Sequence, residues 1–579
     1  MNTPQPAAGR SRELAILLRG GDLPGPANAY GRLVANQGLF SALRDYGRYD
    51  TIHWLLGRGE HSTEAVLERL RLALGPGRCR DELSSPLNTQ APIQAGTLLH
   101  GSAYVSASAW LRRHNQLERR YSLVGTFYGI AVAEARHQML GSLLAPLHSW
   151  DALICSSPTV QSAVRTILET MGAYLGERTG AQRLPMPQLP VIPIGVDAPA
   201  MAARSADAEA RRTLRAELGI SPQAVAVLWV GRLSWFDKAF PQPMLRALEL
   251  AAAGSAVPVH FLMAGYFRDE PTNRPRFEQA ARVLAPNVQV HWLDGNNPAL
   301  VEQCWAAADI FFSLSDTILE TFGQAPVEAM AAGLPVVLSD WDGYRSLLSH
   351  GEEGLLIPTL SAPADGNGSW LALSQVMGMS EQRAYGGSVA QGVAVHIGQA
   401  AEALSALIAS PELRRRLGEA GRRRAHQSFD WPVVVAAHQA LFDELADRRR
   451  HGDPNSDAIA ITPRSVSLPP LGNDPFADFG SYACQQLSDE LLLRYSPEQL
   501  DQPDAPLELC DLDGLMPGLR GTAEEHRQLL AKLVASGPCS VADLLAGFPR
   551  RRWPFLRMSL VWLAKLGRID WLSSGARTP

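Results

Sequence analysis

One stretch constrains this chain more than any other: residues 311–340, FFSLSDTILETFGQAPVEAMAAGLPVVLSD. Its succession of residue types reads as strand, loop, short helix, turn and strand. Phe311 and Phe312 close an apolar run, and residues 313–318 break it. Glu320 then sits in a loop ahead of Thr321, Phe322 and Gly323. Pro326 suits the first turn of a helix, where its missing N–H costs nothing. Gly333 suits the left-handed position that stops the helix, and residues 334–338 form the next buried strand. This leaves Glu320 in the loop, Glu328 about one turn into the helix, and unpaired backbone amides around Gly323 and Gln324. Such a helix start attracts anions through orphan N–H groups and a partial positive charge of roughly half a unit. An anion held there, with carboxylates beside it, points to a phosphorylated ligand that also carries hydroxyls.

A nucleotide sugar meets both conditions. Two glutamates on a loop and a helix are by themselves ordinary surface charges. Their spacing gains force from the Phe-Gly, Pro, Glu-Ala-Met and Gly-Leu-Pro-Val-Val that surround it. Together, ETFGQAPVEAMAAGLPVV closely resembles the signature of the retaining GT-B glycosyltransferases of family 4, the glycosyl transferases group 1. The resemblance implies an α/β fold of two facing Rossmann-like, doubly wound domains. It implies that Glu320 holds sugar-ring hydroxyls and helps with charge at the reacting carbon. Glu328 would grip the ribose hydroxyls, and the amides of Phe322, Gly323 and Gln324 would meet the diphosphate.

The 579 residues, 46% hydrophobic and 19% charged, supply core material for two to four domains. A net charge of -5 argues against bulk attraction to nucleic acid or anionic membrane. The 6 cysteines are scattered with no CxxC pair, which fits neither a zinc site nor a disulfide framework and suits a reducing compartment. The opening MNTPQPAAGRSRE is polar, and no run is long enough to span a bilayer. The expectation is a soluble, cytoplasmic protein with no cofactor and no metal site.

Residues 14–18 form a short first strand that ends in Arg19-Gly20-Gly21. A glycine pair there lets backbone approach a ligand closely, or it is a plain tight turn. The resemblance places Gly20 and Gly21 under the donor phosphates. Further elements are expected at residues 28–44 (helix), 51–56 (strand) and 64–74 (helix), with 75–94 a loop. Strands at 97–100 and 122–125 flank a helix at 107–119. The second strand leads into Gly125-Thr126-Phe127-Tyr128-Gly129. In the family this loop usually presents a histidine, and here Tyr128 stands in its place. A tyrosine donates a hydrogen bond, but an ordinary pKa of about 10 makes it a poor base near neutrality. His100 is the substitute to consider, against a purely structural histidine. A strand at 152–155, Ser-Ser and a helix at 158–168 complete the first half, with a polar loop at 176–188. Residues 191–197, VIPIGVD, resemble the family's crossover between domains, with Asp197 capping or ordering the linker.

A helix at 206–218 precedes the strand 225–230, which ends in Gly231-Arg232-Leu233 with Lys238 shortly beyond. In the family both cations reach the diphosphate and neutralise the leaving group without a metal. Strands at 260–264, 288–293 and 309–313 follow, and Gly265-Tyr266 and Asp294-Gly295 are candidates to meet the nucleotide base. Asp340-Trp341-Asp342 has the look of a cation site but falls where family 4 has an ordinary loop, so it reads as a structural turn. Helices at 400–408, 411–425 and 433–445 close this half, the last crossing back onto the first domain.

The expected domains are therefore 1–198 for the acceptor, 199–450 for the donor, a linker at 451–474, and a helical, winged-helix-like module at 475–579. In that module helices are expected at 482–495, 522–536 and 553–566, with a strand at 567–572. Arg550, Arg551 and Arg552 are placed to meet phosphates, yet the helix they precede is largely apolar, which favours a protein partner. The function implied is transfer of a sugar from a nucleotide-diphosphate sugar to a hydroxyl acceptor (glycan, lipid or small molecule), with Glu320, Arg232 and Lys238 as catalytic residues. Two other classes stay open: a catalytically weakened sugar-nucleotide-binding protein or scaffold, motivated by Tyr128, and a nucleic-acid-binding protein acting through its tail.

Overall fold

The computed structural model describes residues 12–19, 22, 31–56, 63–181, 186–364, 367–452, 472, 474–496, 507, 513 and 519–572. The chain divides into two compact units, Met1–Pro469 and Pro470–Pro579.

Two six-stranded sheets make up the first unit. Strands β1 (Glu13–Leu17), β2 (Thr51–Leu55), β3 (Arg80–Ser84), β4 (Thr97–His100), β5 (Ser122–Phe127) and β6 (Ala152–Cys155) lie in the order β3-β2-β1-β4-β5-β6. Strands β7 (Val225–Val230), β8 (Val259–Gly265), β9 (Gln289–Asp294), β10 (Ile310–Ser313), β11 (Val336–Ser339) and β12 (Leu355–Ile357) lie in the order β12-β11-β10-β7-β8-β9. All pairings are parallel. Counted from its own first strand, each sheet has the same doubly wound order, with a switch point between its first and fourth strands. The strands are apolar runs such as Val225–Val230 and Val259–Gly265 because helices cover both faces. Two Rossmann-like halves of this kind form the GT-B architecture.

The crossovers were legible as connections but not in detail. Asp197 caps the helix Ala198–Ser205, accepting a hydrogen bond from Ala200 N at 2.9 Å. Val196 bridges Asp430, so the outgoing and returning strands of chain run side by side. The return helix Trp431–His451 buries Val434, Val435, Leu441, Phe442 and Leu445 in the core of the first sheet. Trp431 itself lies where Gly38 and Gly195 have no side chain; a Cβ on Gly195 would come within 2.2 Å of its ring. Replacing Asp197 by alanine is expected to cost about 1 kcal/mol, read as a lower denaturant midpoint.

Several boundaries differ from the sequence expectation. Residues 75–94 hold the edge strand β3 and the start of the helix Gln90–Ala95. The sequence Arg80–Ser84 is polar because only an edge position is asked of it. The helix from Pro158 continues to Thr179, and the expected 206–218 helix is Ala208–Glu217, capped by Asp207, with a separate helix Ala198–Ser205 before it that the sequence reading did not place. The helix expected at 107–119 is Ser106–His114. Between β13 (Thr359–Ser361) and β14 (Val393–Val395), which pair antiparallel, the helices Asn367–Val376 and Gln382–Ala390 had no counterpart in the sequence reading.

In the second unit β15 (Leu492–Tyr495), β16 (Cys539–Ser540) and β17 (Ile569–Leu572) form an antiparallel sheet in the order β16-β15-β17. Helices Ala523–Ser536, Val541–Leu545 and Trp553–Lys565 pack on it through Leu529, Leu533, Leu544, Leu556 and Leu560. This is a winged-helix-like arrangement, but residues 482–495 are not the expected helix. Leu493 and Tyr495 are buried as strand residues opposite Trp571 and Ile569. Of the expected linker 451–474, residues 453–471 and 473 lie outside the described residues. Among the described residues, no helix is long and apolar enough to cross a membrane.

Candidate functional site

The switch point of the second sheet lies between β7 and β10, and the segments leaving these two strands carry the site. Beyond β7 the chain turns through Gly231, Arg232 and Leu233, then closes a tight turn in which Lys238 N donates to Ser234 O at 3.1 Å. Beyond β10 it runs through residues 314–322 to Gly323, which caps the helix Gln324–Ala332 at a φ of 104°. Only glycine fits there: a Cβ would lie 2.6 Å from the Tyr344 ring, and the φ itself is left-handed.

These segments meet. Lys238 Nζ donates to Glu320 Oε2 at 2.8 Å. Glu320 is buried, which alone would push its carboxyl up, but the Lys238 ammonium and the Thr321 and Phe322 amides outweigh burial and hold it below its ordinary value. Arg232, partly buried, faces Asp237 at 3.3 Å, and Asp237 is shared with Arg268 at 3.2 Å. Arg232, Lys238, Glu320, Phe322, Gly323 and Gln324 all line one cleft of about 230 Å³, and Tyr128 lines it from the first sheet. Glu328 stands one turn along the helix, accepting from Gln324 Nε2 at 3.3 Å, and burial pushes its carboxyl up to about 7. Gly20 and Gly21 lie outside the described residues.

Burial raises the Tyr128 phenol well above its usual value, so it stays protonated and can donate but not act as a base. His100 is buried at the end of β4, and burial with the Arg19 charge lowers it to about 3. It is therefore neutral near pH 7, and its Nε2 has no hydrogen-bond partner among the described residues. The loops Gly265-Tyr266 and Asp294-Gly295 do not line this cleft. They buttress the Gly231 turn instead, with Leu233 N donating to Tyr266 O at 2.9 Å and Gly295 N to Gly265 O at 3.0 Å. The aromatic and apolar wall of the cleft is Trp229, Ile194 and Pro326. Asp340-Trp341-Asp342 forms a turn, with Asp340 paired to Arg345 at 2.9 Å. Among the described residues no group of three or more His, Cys, Asp or Glu is placed to hold a metal.

The sequence reading missed how the two halves are joined beside Glu320. Ser156 Oγ and Ser157 Oγ, just past β6, both donate to Thr321 O at 3.1 Å. Thr321 Oγ1 donates back to Tyr128 O at 3.1 Å, and Thr159 Oγ1 donates to Asp342 O at 3.0 Å. A signal for Lys238 was also available and unread. Of the 53 basic residues, three are lysines, Lys238, Lys532 and Lys565. A chain that otherwise uses arginine keeps a compact, rotatable ammonium at this position.

The segments leaving β7 and β10 thus bring Arg232, Lys238 and Glu320 together beside one helix start. Residues 210–365 match the protein family described as "Glycosyl transferases group 1". The chain is 32% identical over 149 residues to a D-inositol 3-phosphate glycosyltransferase of Rhodococcus erythropolis, covering 25% of this chain and 33% of that protein. It is 24% identical to an alpha-maltose-1-phosphate synthase of Mycolicibacterium smegmatis, covering 63% of this chain and 83% of that protein. The chain thus spans a third of the first relative and most of the second. Among solved structures, the Anabaena HepE protein in complex with UDP is 16% identical, with a TM-score of 0.46 over 75% of this chain and 99% of that one.

Proposed function

We propose that this chain is a retaining glycosyltransferase that moves a sugar from a nucleotide-diphosphate sugar to an acceptor hydroxyl. The observation that carries the proposal is the 2.8 Å Lys238–Glu320 pair, set in one cleft with Arg232 and the Gly323 helix start. In this reading Arg232, Lys238 and the amides of Phe322, Gly323 and Gln324 receive the charge that develops on the leaving diphosphate. Glu320, kept ionised by its neighbours, accepts hydrogen bonds from the sugar hydroxyls. Glu328 takes the ribose hydroxyls, and Tyr128 donates from the opposite wall. The displaced diphosphate takes up the acceptor's proton on the same face of the sugar. Two side-chain cations supply the neutralisation that metal-dependent transferases draw from a divalent ion, so turnover needs none.

The acceptor domain is assigned to residues 1–198, the donor domain to 199–450, and the module at 475–579 to docking a protein. Two side-chain commitments support docking over nucleic acid. Arg552 forms two hydrogen bonds to Glu525, at 2.7 and 2.6 Å, and Arg550 lies 4.3 Å from the Trp553 ring centre.

A panel of UDP-glucose, UDP-N-acetylglucosamine, GDP-mannose and ADP-glucose tests the reading. One donor is expected to raise the thermal midpoint, since a ligand at 100 times its Kd adds about 2.7 kcal/mol. The same donor should release nucleoside diphosphate at a rate that a chelator leaves unchanged. No binding by any donor, or loss of turnover with the chelator, contradicts it.

A further inference from the structure

We infer that Ser315, Asp316 and Thr317 are positioning residues that mould the loop bearing Lys238 and thereby set its ion pair with Glu320. Their catalytic consequence rests on the glycosyltransferase reading above; their structural effect does not. The three side chains are consecutive, and each binds the backbone of one short segment on the neighbouring strand's loop. Ser315 Oγ donates to Lys238 O at 3.1 Å. Phe240 N donates to both carboxyl oxygens of Asp316, each at 3.3 Å. Thr317 Oγ1 donates to Phe236 O at 3.0 Å. The backbone of Lys238 is thus held at its own carbonyl and two residues to either side.

All three side chains are buried, at 1, 2 and 0% exposure. The backbone of residues 315–317 is in turn pinned from the end of β11 and the turn that follows it. Ser339 Oγ donates to Ser315 O at 2.7 Å, and Trp341 Nε1 donates to Thr317 O at 2.9 Å. Ser, Asp and Thr in loops ordinarily bond to backbone within their own turn. Thr317 Oγ1 makes such a local bond, accepting from Leu319 N at 3.2 Å, but all three side chains also reach a segment more than 70 residues away in sequence, which a plain connector does not need. The same loop ends in Glu320, so one segment fixes both partners of the pair. A flexible lysine gains a defined ammonium position only from a defined backbone, and a displacement of about 1 Å at a reacting centre can cost about 100-fold in rate.

The small number of lysines makes the test direct. Reductive methylation of the full chain with carbon-13 formaldehyde keeps the positive charges and labels Lys238, Lys532, Lys565 and the terminal amine. Lys238→Arg assigns the Lys238 methyl resonance, and Glu320→Gln gives its position when the pair is broken. In Ser315→Ala and Thr317→Val the resonance is expected to move toward the Glu320→Gln position. With the donor selected by the panel, kcat should fall about 10–100-fold while the donor KM stays within about threefold. Thr317→Ser, which keeps the hydroxyl, should restore both readings. A wild-type resonance in folded Ser315→Ala and Thr317→Val overturns the inference, as does an equal shift in Thr317→Ser. If no nucleotide sugar turns over, the functional reading fails, and the resonance alone still decides the positioning.

Discussion

Lys238→Ala is expected to lower kcat by roughly 100- to 1,000-fold, the loss of about 2.7–4 kcal/mol of electrostatic stabilisation at a developing negative charge. Two effects combine. The ammonium that would face the diphosphate is gone, and Glu320 loses the cation that keeps it ionised. Glu320 is buried, and without Lys238 only the Thr321 and Phe322 amides oppose the upward push of burial. Its folded-state pKa therefore rises, and the acidic limb of the pH–rate profile should move to higher pH in the variant. Lys238→Arg should not restore turnover, because a planar guanidinium cannot occupy the ammonium position that the Glu320 Oε2 contact at 2.8 Å defines. Arg232→Ala should show a loss of the same order without the shift in the acidic limb, since Arg232 pairs with Asp237 and not with Glu320. Steady-state kinetics from pH 5 to 9 on variants with wild-type thermal midpoints check all three outcomes. A Lys238→Ala enzyme within tenfold of wild type would falsify the assigned role.

The asymmetry of what could be read from the sequence has a physical cause. Glu320, Gly323, Pro326 and Gly333 act through local backbone geometry, and the helix they bound runs Gln324–Ala332 as the residue order implied. Strands of the two sheets were legible because burial on both faces demands unbroken apolar runs. Arg232 and Lys238 could be tied to the same site because both follow β7 at a predictable strand end. Contacts between distant segments were not legible. Nothing in the Ser156-Ser157 pair announces that both hydroxyls bind Thr321 O, 164 or more residues away. The polar triplet of Ser315, Asp316 and Thr317 reads as any loop would. The edge strand β3 failed for the converse reason, since its polar sequence carries no burial signal. In the tail, residues 492–495, LLRY, look helical in isolation. They form β15 because strands at 539–540 and 569–572 supply the pairing, which local propensity cannot see.

Removing one partner of the Arg112–Asp151 pair is expected to destabilise the first half of the molecule by about 3–5 kcal/mol, the cost of leaving a buried charge uncompensated. The two side chains are 0 and 1% exposed. Arg112 donates to both carboxyl oxygens of Asp151, at 2.8 and 2.6 Å. Replacing such a pair with two apolar residues is often neutral, but here each partner also serves backbone that would be orphaned. Asp151 accepts from Leu123 N at 2.8 Å and His148 N at 2.9 Å, and Arg112 donates to Tyr121 O at 2.9 Å. Leu123 lies on β5, and Asp151 immediately precedes β6, so the pair ties together the two strands that lead to Tyr128 and to Ser156. Each buried amide left unpaired costs about 1–3 kcal/mol. The expected order of stability is therefore wild type, then Arg112→Met with Asp151→Leu, then Arg112→Met alone, with the double variant recovering only part of the loss. Hydrogen exchange of the β5 and β6 amides, followed peptide by peptide across a denaturant series, reads this half of the molecule directly. A double variant as stable as wild type would show that the charges serve only each other and that the backbone finds partners without them.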